Sequence, residues 1–186
     1  MERRELLKMI AVLTGTAFIG GGSFLSGCNN ADAGPVEFSQ ANLDFLNEVG
    51  ETILPATATP GAKAANVSKV MKAVVTDCYD LAAQPVFLGG IKMINDASNK
   101  KFNHSFLEAT PPQREELVKE IDKEAREYQK TKKKDDMDHY FTMMKQLTLL
   151  GYFTSEVGAK QALRYVPIPQ RYDGCIDYHK GDKAVY

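Results

Sequence analysis

Apolar residues recur at intervals of three and four along most of the chain between residues 39 and 163. This spacing places them on one face of a helix, whereas a half-buried strand alternates apolar and polar residues. No stretch of the chain alternates cleanly, and the Val-rich runs fit the helical period better. The pattern therefore predicts an all-α fold: a single compact helical domain of about five to six helices.

Residues typical of helix ends set the expected boundaries. The predicted helices cover residues 39–54, 66–78, 85–98, 110–132, 137–150 and 155–163. The residues expected to cap or end them are Ser39, Asn66, Thr110 with Gln113, Asp136, Gly151 and Ser155. Gly89-Gly90 is a predicted weak point of the third helix, and Tyr128 is expected to be buried on the fourth.

The first 27 residues differ from the rest of the chain. Arg3, Arg4 and Lys8 precede an uncharged, Gly-rich stretch over residues 9–27, a pattern typical of an export signal. Its apolar core is about half of the roughly 20 residues that a membrane-spanning helix needs, so a transmembrane anchor is the weaker alternative. We expect a signal at 1–27, a polar tether at 28–37 and the folded domain at 38–186.

Two short motifs specify the route of export. The run from Arg3 to Lys8 (RRELLK) resembles the twin-arginine pattern R-R-x-F-L-K, a route that carries proteins already folded. The run from Leu25 to Cys28 (LSGC) resembles the lipobox of bacterial lipoproteins, in which the cysteine thiol bears the lipid. We therefore expect a lipid anchor at Cys28 and a location on the periplasmic side of a bacterial membrane. The alternative is that Cys28 is an ordinary thiol.

Composition excludes several classes of function. A formal net charge of -1 argues against a nucleic-acid binder, which needs Lys and Arg facing phosphate. The chain has no phosphate-binding Gly loop after the signal and no H-E-x-x-H, C-x-x-C or G-x-S-x-G motif. The three histidines, His104, His139 and His179, are far apart and not at metal-ligand spacing. No catalytic, cofactor-binding or metal-binding residue is predicted.

The sequence changes character after Arg164. Prolines and glycines interrupt any long helix there, and four tyrosines occur in 22 residues. This composition predicts an extended Tyr/Pro/Gly-rich C-terminal tail that needs a surface to lie on. Cys78 and Cys175 form a candidate disulfide, because two thiols in an oxidising periplasm tend to be oxidised. The alternatives are a bond from Cys175 to a partner and a buried, unreacted thiol at Cys78.

Three stretches resemble one known family. Residues 51–65 (ETILPATATPGAKAA) resemble the loop E-T-I-I-P-x-T-D-T-P-G-A-K-A-A of the gluconate 2-dehydrogenase subunit 3 family, with Ala58 where many members have Asp. Asp77-Cys78-Tyr79 matches its D-C-Y, and residues 149–156 and 164–175 are similar to its C-terminal signature. The resemblance extends over about residues 38–178.

The resemblance implies a non-catalytic small subunit of a membrane-associated, FAD-dependent sugar or sugar-acid dehydrogenase of the glucose-methanol-choline type. The enzyme would be similar to gluconate 2-dehydrogenase or glucoside 3-dehydrogenase. In this family the large subunit binds FAD, and the small subunit carries the export signal for both. No cofactor is expected in this chain, and a cytochrome c or another electron acceptor is a further candidate partner.

Two regions are the expected contacts to the large subunit, because aromatic and Arg side chains commonly anchor interfaces and small residues permit close backbone approach. The candidate residues are Thr57, Thr59, Pro60 and Gly61 in the loop, and Tyr165, Arg171, Tyr172 and Tyr178 in the tail. Two alternative functions are a stand-alone lipoprotein binding module of the cell envelope and a helical metalloenzyme whose His ligands are scattered along the sequence.

Overall fold

The part of the chain that the structure describes contains five α-helices and one π-helix, which confirms the predicted all-α class. The computed structural model describes residues 36–168, 170–171, 174–175 and 177–184, and these residues form no strand. The elements are α1 (Gln40–Ile53), α2 (Val67–Cys78), α3 (Ala83–Phe102), α4 (Pro111–Thr131), α5 (Tyr140–Phe153) and the π-helix (Gly158–Ala162).

Several predictions fall outside the described residues. They are the export signal with Arg3 and Arg4, the lipid-bearing Cys28, residues 28–35 of the tether, and Tyr172 in the tail. They stay predictions.

The α5 helix lies at the centre of the fold and contacts all four other α-helices. Its side chains Phe141, Met144 and Leu147 are buried, and the buried Thr148 hydroxyl donates to the Met144 carbonyl at 2.8 Å. Burying one such apolar side chain contributes about 1.5–3 kcal/mol, so this helix supplies a large share of the stability. This central position accounts for the sequence of α5, which is the most apolar of the described helices.

Two of the predicted helix starts are confirmed. The Ser39 hydroxyl accepts a hydrogen bond from the Asn42 N–H at 3.2 Å, which caps α1. At the start of α4 the Gln113 side-chain oxygen accepts from the Thr110 N–H at 2.9 Å and from the Thr110 hydroxyl at 2.8 Å. These bonds satisfy groups that a helix end otherwise leaves unpaired.

Two other predicted caps are wrong. Asp136 does not cap α5, which begins three residues after the predicted Met137 and is capped by His139. The His139 Nδ1 atom accepts from the Phe141 N–H at 3.2 Å, whereas the Asp136 carboxylate accepts from the Lys133 N–H in the preceding turn. Asn66 makes no side-chain cap and instead has left-handed backbone geometry with φ of 52°.

Glycines in α3 and α5 let neighbouring helices approach closely, and the predicted helix end at Gly151 is wrong. The α5 helix does not end at Gly151 but continues to Phe153, and a Cβ at Gly151 would lie 3.2 Å from the Val70 Cβ. The α3 helix runs unbroken through Gly89-Gly90, and a Cβ at Gly90 would lie 2.4 Å from the Tyr140 ring. Both glycines allow close packing between helices.

Tyr128 is exposed rather than buried, and its hydroxyl donates to the Met137 carbonyl at 3.0 Å.

The His139 cap makes stability depend on pH. Burial lowers the pKa of His139 below its ordinary value of 6.5, and the charge of Glu124 opposes this shift only in part. The folded protein binds this proton less tightly than the unfolded chain, so the neutral ring contributes stability above about pH 6.5 that is lost as the pH falls through the lowered pKa. Protonation also removes the Nδ1 acceptor that caps α5.

For the wild type, we expect the urea concentration at the unfolding midpoint to decrease when the pH is lowered from about 7 to about 5. His139→Asn is the matched control, because an asparagine caps a helix with its side-chain oxygen and does not titrate. The variant should have a nearly flat midpoint over this range. Equal slopes in the two proteins would show that another group is responsible.

Candidate partner-binding surface

One carboxylate bonds to both halves of the loop between α1 and α2, residues 54–66. Glu51, in the last turn of α1, accepts from the Ala56 N–H at 2.8 Å through one oxygen and from the Lys63 N–H at 2.9 Å through the other. One side chain therefore connects the first half of the loop to its second half. Hydrogen bonds to a charged acceptor are stronger than neutral ones, which makes this an effective clamp.

Gly61 is buried directly against this clamp. A Cβ at this position would lie 2.3 and 2.4 Å from the two Glu51 oxygens and 2.6 Å from the Ala56 nitrogen. No side chain fits there unless the clamp opens. Glu51 and Gly61 thus form one structural unit, which explains their occurrence together in the motif over residues 51–65.

The far side of the loop is fastened to α5. The Tyr152 hydroxyl donates to the Pro60 carbonyl at 2.7 Å, and the Ala62 N–H donates to the Leu54 carbonyl at 2.9 Å. These backbone groups are satisfied by the protein itself. The side chains of Thr57 and Ala58 are exposed at the tip, so the loop presents a fixed surface.

An ion cluster supports the base of the loop. The Glu48 carboxylate accepts from Arg114 Nη1 at 2.6 Å and from the Lys63 amine, while Arg114 Nε donates to the Phe106 carbonyl at 2.9 Å. Partial burial alone would raise the pKa of Glu48, but Lys63 and Arg114 outweigh it and hold that pKa below its ordinary value. Glu48 is therefore a carboxylate at neutral pH and joins α1, α4 and the loop.

A groove of about 660 Å³ opens beside this cluster, between α1, α4 and α5. Among the described residues, its apolar lining includes Ile53, Val118 and Phe141. The lining carboxylates of Glu115 and Asp122 form ion pairs with lysines. This mixture of apolar and paired charged side chains suits binding.

The described residues from 163 to 184, which we call the arm, form no helix and close on themselves at their base. The Arg164 N–H donates to the Ala184 carbonyl at 2.8 Å, and the Lys183 amine donates to the Gln161 carbonyl. Apolar and aromatic side chains of the arm are strongly exposed: Ile168 by 78% and Tyr178 by 75%. Such exposure is typical of a binding surface.

The predicted contact residues differ in how far their side chains are exposed. Thr57, Tyr165, Arg171 and Tyr178 are exposed. Thr59 and Pro60 are half-buried, and the buried Gly61 shapes the loop without offering a contact of its own. Sequence reasoning missed the residues that fix the loop, Glu51 and Tyr152, although both lie within stretches quoted for the family resemblance.

Cys78 and Cys175 are both exposed and both free thiols. The interpretation of Cys78 as a buried thiol is therefore wrong, while a disulfide in the oxidised protein stays a prediction. Within the described residues no three His, Cys, Asp or Glu side chains cluster as a metal site. None of the helices described is long and apolar enough to cross a bilayer.

The family model of gluconate 2-dehydrogenase subunit 3 matches residues 40–170, from the first residue of α1 into the arm. The chain belongs to this family. The match includes the clamped loop, α5 and the first part of the arm of this gluconate 2-dehydrogenase subunit 3 protein. Searches of the curated proteins and of the solved structures gave no significant match. According to the description of the family, each member is a subunit of a dehydrogenase.

Proposed function

We propose that this protein is the non-catalytic small subunit of a membrane-associated, FAD-dependent dehydrogenase of the glucose-methanol-choline type that oxidises a sugar or sugar acid. It binds the flavin-bearing large subunit through the clamped loop and the arm. Family membership supports the subunit role. The observation that carries the binding role is the exposure of Ile168 and Tyr178 on the arm.

The geometry of both regions suits tight binding. Interfaces derive most of their affinity from a few aromatic and Arg anchors, and the arm supplies Tyr165, Arg171 and Tyr178 on its surface. The loop is already held by Glu51 and Tyr152, so it loses little conformational entropy when a partner docks. A rigid loop beside an exposed aromatic arm is therefore a favourable docking surface.

The proposal extends to export and anchoring. Arg3 and Arg4 direct the folded complex through the twin-arginine route, and Cys28 carries the lipid that holds it on the periplasmic side of the membrane. FAD resides in the large subunit. Electrons pass from the flavin to a cytochrome c or another acceptor, since the chemistry of alcohol oxidation needs one.

Truncation after Leu163, combined with co-expression of the flavoprotein, tests this function. We expect the wild type to co-purify with a yellow partner. The truncated protein should melt within a few degrees of the wild type, because the apolar side chains of Ile168 and Tyr178 are exposed and are not packed on the helices, and it should lose the flavoprotein.

Two results would contradict this expectation. A truncated protein that is stable and still retains the flavoprotein removes the arm from the interface and leaves the loop. A truncated protein that loses many degrees or becomes insoluble shows that the arm mainly covers its own helices.

The groove favours one second candidate, a stand-alone binding module of the cell envelope. Its volume of about 660 Å³ is within the range of small-molecule sites. Purification of the membrane-extracted wild type without any flavoprotein, together with a thermal shift on adding a ligand, would support this candidate over the first.

A further inference from the structure

We propose that Tyr152 couples the loop to the arm, so that the two contact regions act as one docking surface for the flavin-bearing subunit. The identity of the partner rests on the proposed function, whereas the coupling is a property of this chain alone. Tyr152 is 4% exposed and lies in the last turn of α5. Its side chain is bonded to the loop, and its carbonyl group is bonded to the segment that leads into the arm.

The hydroxyl group of Tyr152 fixes the second half of the loop. It donates to the Pro60 carbonyl at 2.7 Å, one residue before the buried Gly61. Gly61 in turn packs against the Glu51 carboxylate, which bonds to both halves of the loop. Because a buried tyrosine needs a partner for its hydroxyl group, this bond restrains the ring and the loop together.

The carbonyl group of the same residue fixes the segment after α5. The Ser155 hydroxyl donates to the Tyr152 carbonyl at 2.6 Å and accepts from the Gly158 N–H at 3.0 Å. This serine satisfies a carbonyl group that the end of a helix otherwise leaves unpaired. A Cβ at Gly158 would lie 2.0 Å from the Tyr152 oxygen, so the π-helix begins in direct contact with this carbonyl group.

The π-helix carries this contact to the base of the arm. The Leu163 N–H donates to the Gly158 carbonyl at 2.9 Å, and the Arg164 N–H donates to the Ala184 carbonyl at 2.8 Å. π-Helices are rare and are frequently found at functional sites. A continuous series of contacts among the described residues therefore joins the loop to the arm through Tyr152.

Two attachments on one buried residue make the loop and the arm depend on each other. Closely packed side chains leave little room for independent movement, so a displacement of the Tyr152 ring also displaces its carbonyl group. A partner that orders one region restrains Tyr152 and thereby reduces the entropy that the other region loses on docking. Contacts at the loop and at the arm should therefore reinforce each other.

The coupling is tested in the full chain by two variants. Tyr152→Phe removes only the hydroxyl group that binds the loop, and Ser155→Ala removes only the bridge to Gly158. Amide hydrogen exchange is measured at Ala62 in the loop and at Arg164 in the arm, whose N–H groups are both bonded to carbonyl groups. We expect each variant to accelerate exchange at both amides by about fivefold or more, the effect of losing one hydrogen bond.

Tyr128→Phe is the matched control. Its hydroxyl group also donates to a backbone carbonyl, that of Met137 at 3.0 Å, but in the turn between α4 and α5. This variant should leave exchange at the loop and arm amides unchanged. If Tyr152→Phe affects only the loop amide and Ser155→Ala only the arm amide, the two regions are independent and the inference is overturned.

Retention of the co-expressed flavoprotein tests whether the coupling serves docking. Each variant should weaken retention by about fivefold or more. The double variant should lose less than the product of the two single losses, because both substitutions interrupt the same connection. Losses that multiply, or normal retention in both single variants, would overturn the inference. If the wild type retains no flavoprotein, the proposed function fails, and the exchange experiment alone decides the coupling.

Exchange at Ile121, which is buried in α4, reports global unfolding and should be the same in all variants. Should Tyr152→Phe accelerate it, Ser155→Ala decides the question, because Ser155 is only half-buried. Faster exchange at Ala62 in that variant supports the coupling. Faster exchange at Arg164 with no change at Ala62 contradicts it.

Discussion

Replacing Gly61 by Ala is expected to lower the free energy of unfolding by about 2–3 kcal/mol, because the new methyl group must displace the Glu51 clamp. The added Cβ would meet both carboxylate oxygens and the Ala56 nitrogen at less than 3 Å. Displacing Glu51 also breaks its hydrogen bonds to the Ala56 and Lys63 N–H groups. The substitution therefore costs packing and hydrogen bonding together.

Gly89→Ala provides the matched control, since Gly89 is inside α3 and a Cβ there would lie within 4 Å of no atom beyond its chain neighbours and the nearby backbone of the helix. It should raise the free energy of unfolding by about 0.5–1 kcal/mol by reducing the entropy of the unfolded chain. Urea denaturation of both variants measures the difference. A Gly61→Ala protein as stable as Gly89→Ala would show that the loop reorganises without cost.

Changing Arg3 and Arg4 together to Lys is expected to leave the flavoprotein in the cytoplasm, although the flavoprotein itself is unchanged. The substitution keeps the charge of the predicted export signal but removes both planar guanidinium groups. Lys presents different hydrogen bonds from Arg, so the signal should no longer be recognised. The measurement is flavin dehydrogenase activity in the periplasmic and cytoplasmic fractions.

Lys8→Arg serves as the control for this experiment, because it alters the same leader without touching the Arg pair. It should export the enzyme as the wild type does. Normal export of the flavoprotein in the Arg3/Arg4 double variant would show that it crosses the membrane by a signal other than this one.

The sequence was sufficient for the fold wherever the information is local. The periodicity of apolar residues located the five α-helices of the described residues, and Ser39 and the Thr110–Gln113 pair marked two helix starts because capping involves only neighbouring residues. The predicted helix end at Gly151 was wrong because this glycine makes room for a contact with another helix, which no local pattern encodes. The same holds for His139, whose capping role depends on where α5 begins.

The candidate site was predictable only as stretches of sequence. The motif over residues 51–65 pointed to the loop, yet nothing in it shows that Glu51 and Gly61 touch or that Tyr152 reaches Pro60 from 92 residues away. Such contacts depend on how the α-helices pack against one another.

The way the loop is fastened has a consequence for how such proteins can diversify. Glu51, Gly61 and Tyr152 fix the backbone conformation of the loop. Because the side chains of Thr57 and Ala58 are exposed and take no part in these contacts, they contribute little to folding. If the loop binds the large subunit as proposed, mutations at these two positions alter which dehydrogenase is recognised while the fold stays intact. Gene duplicates could acquire new partners through the loop tip in single steps, without compensating changes elsewhere in the domain.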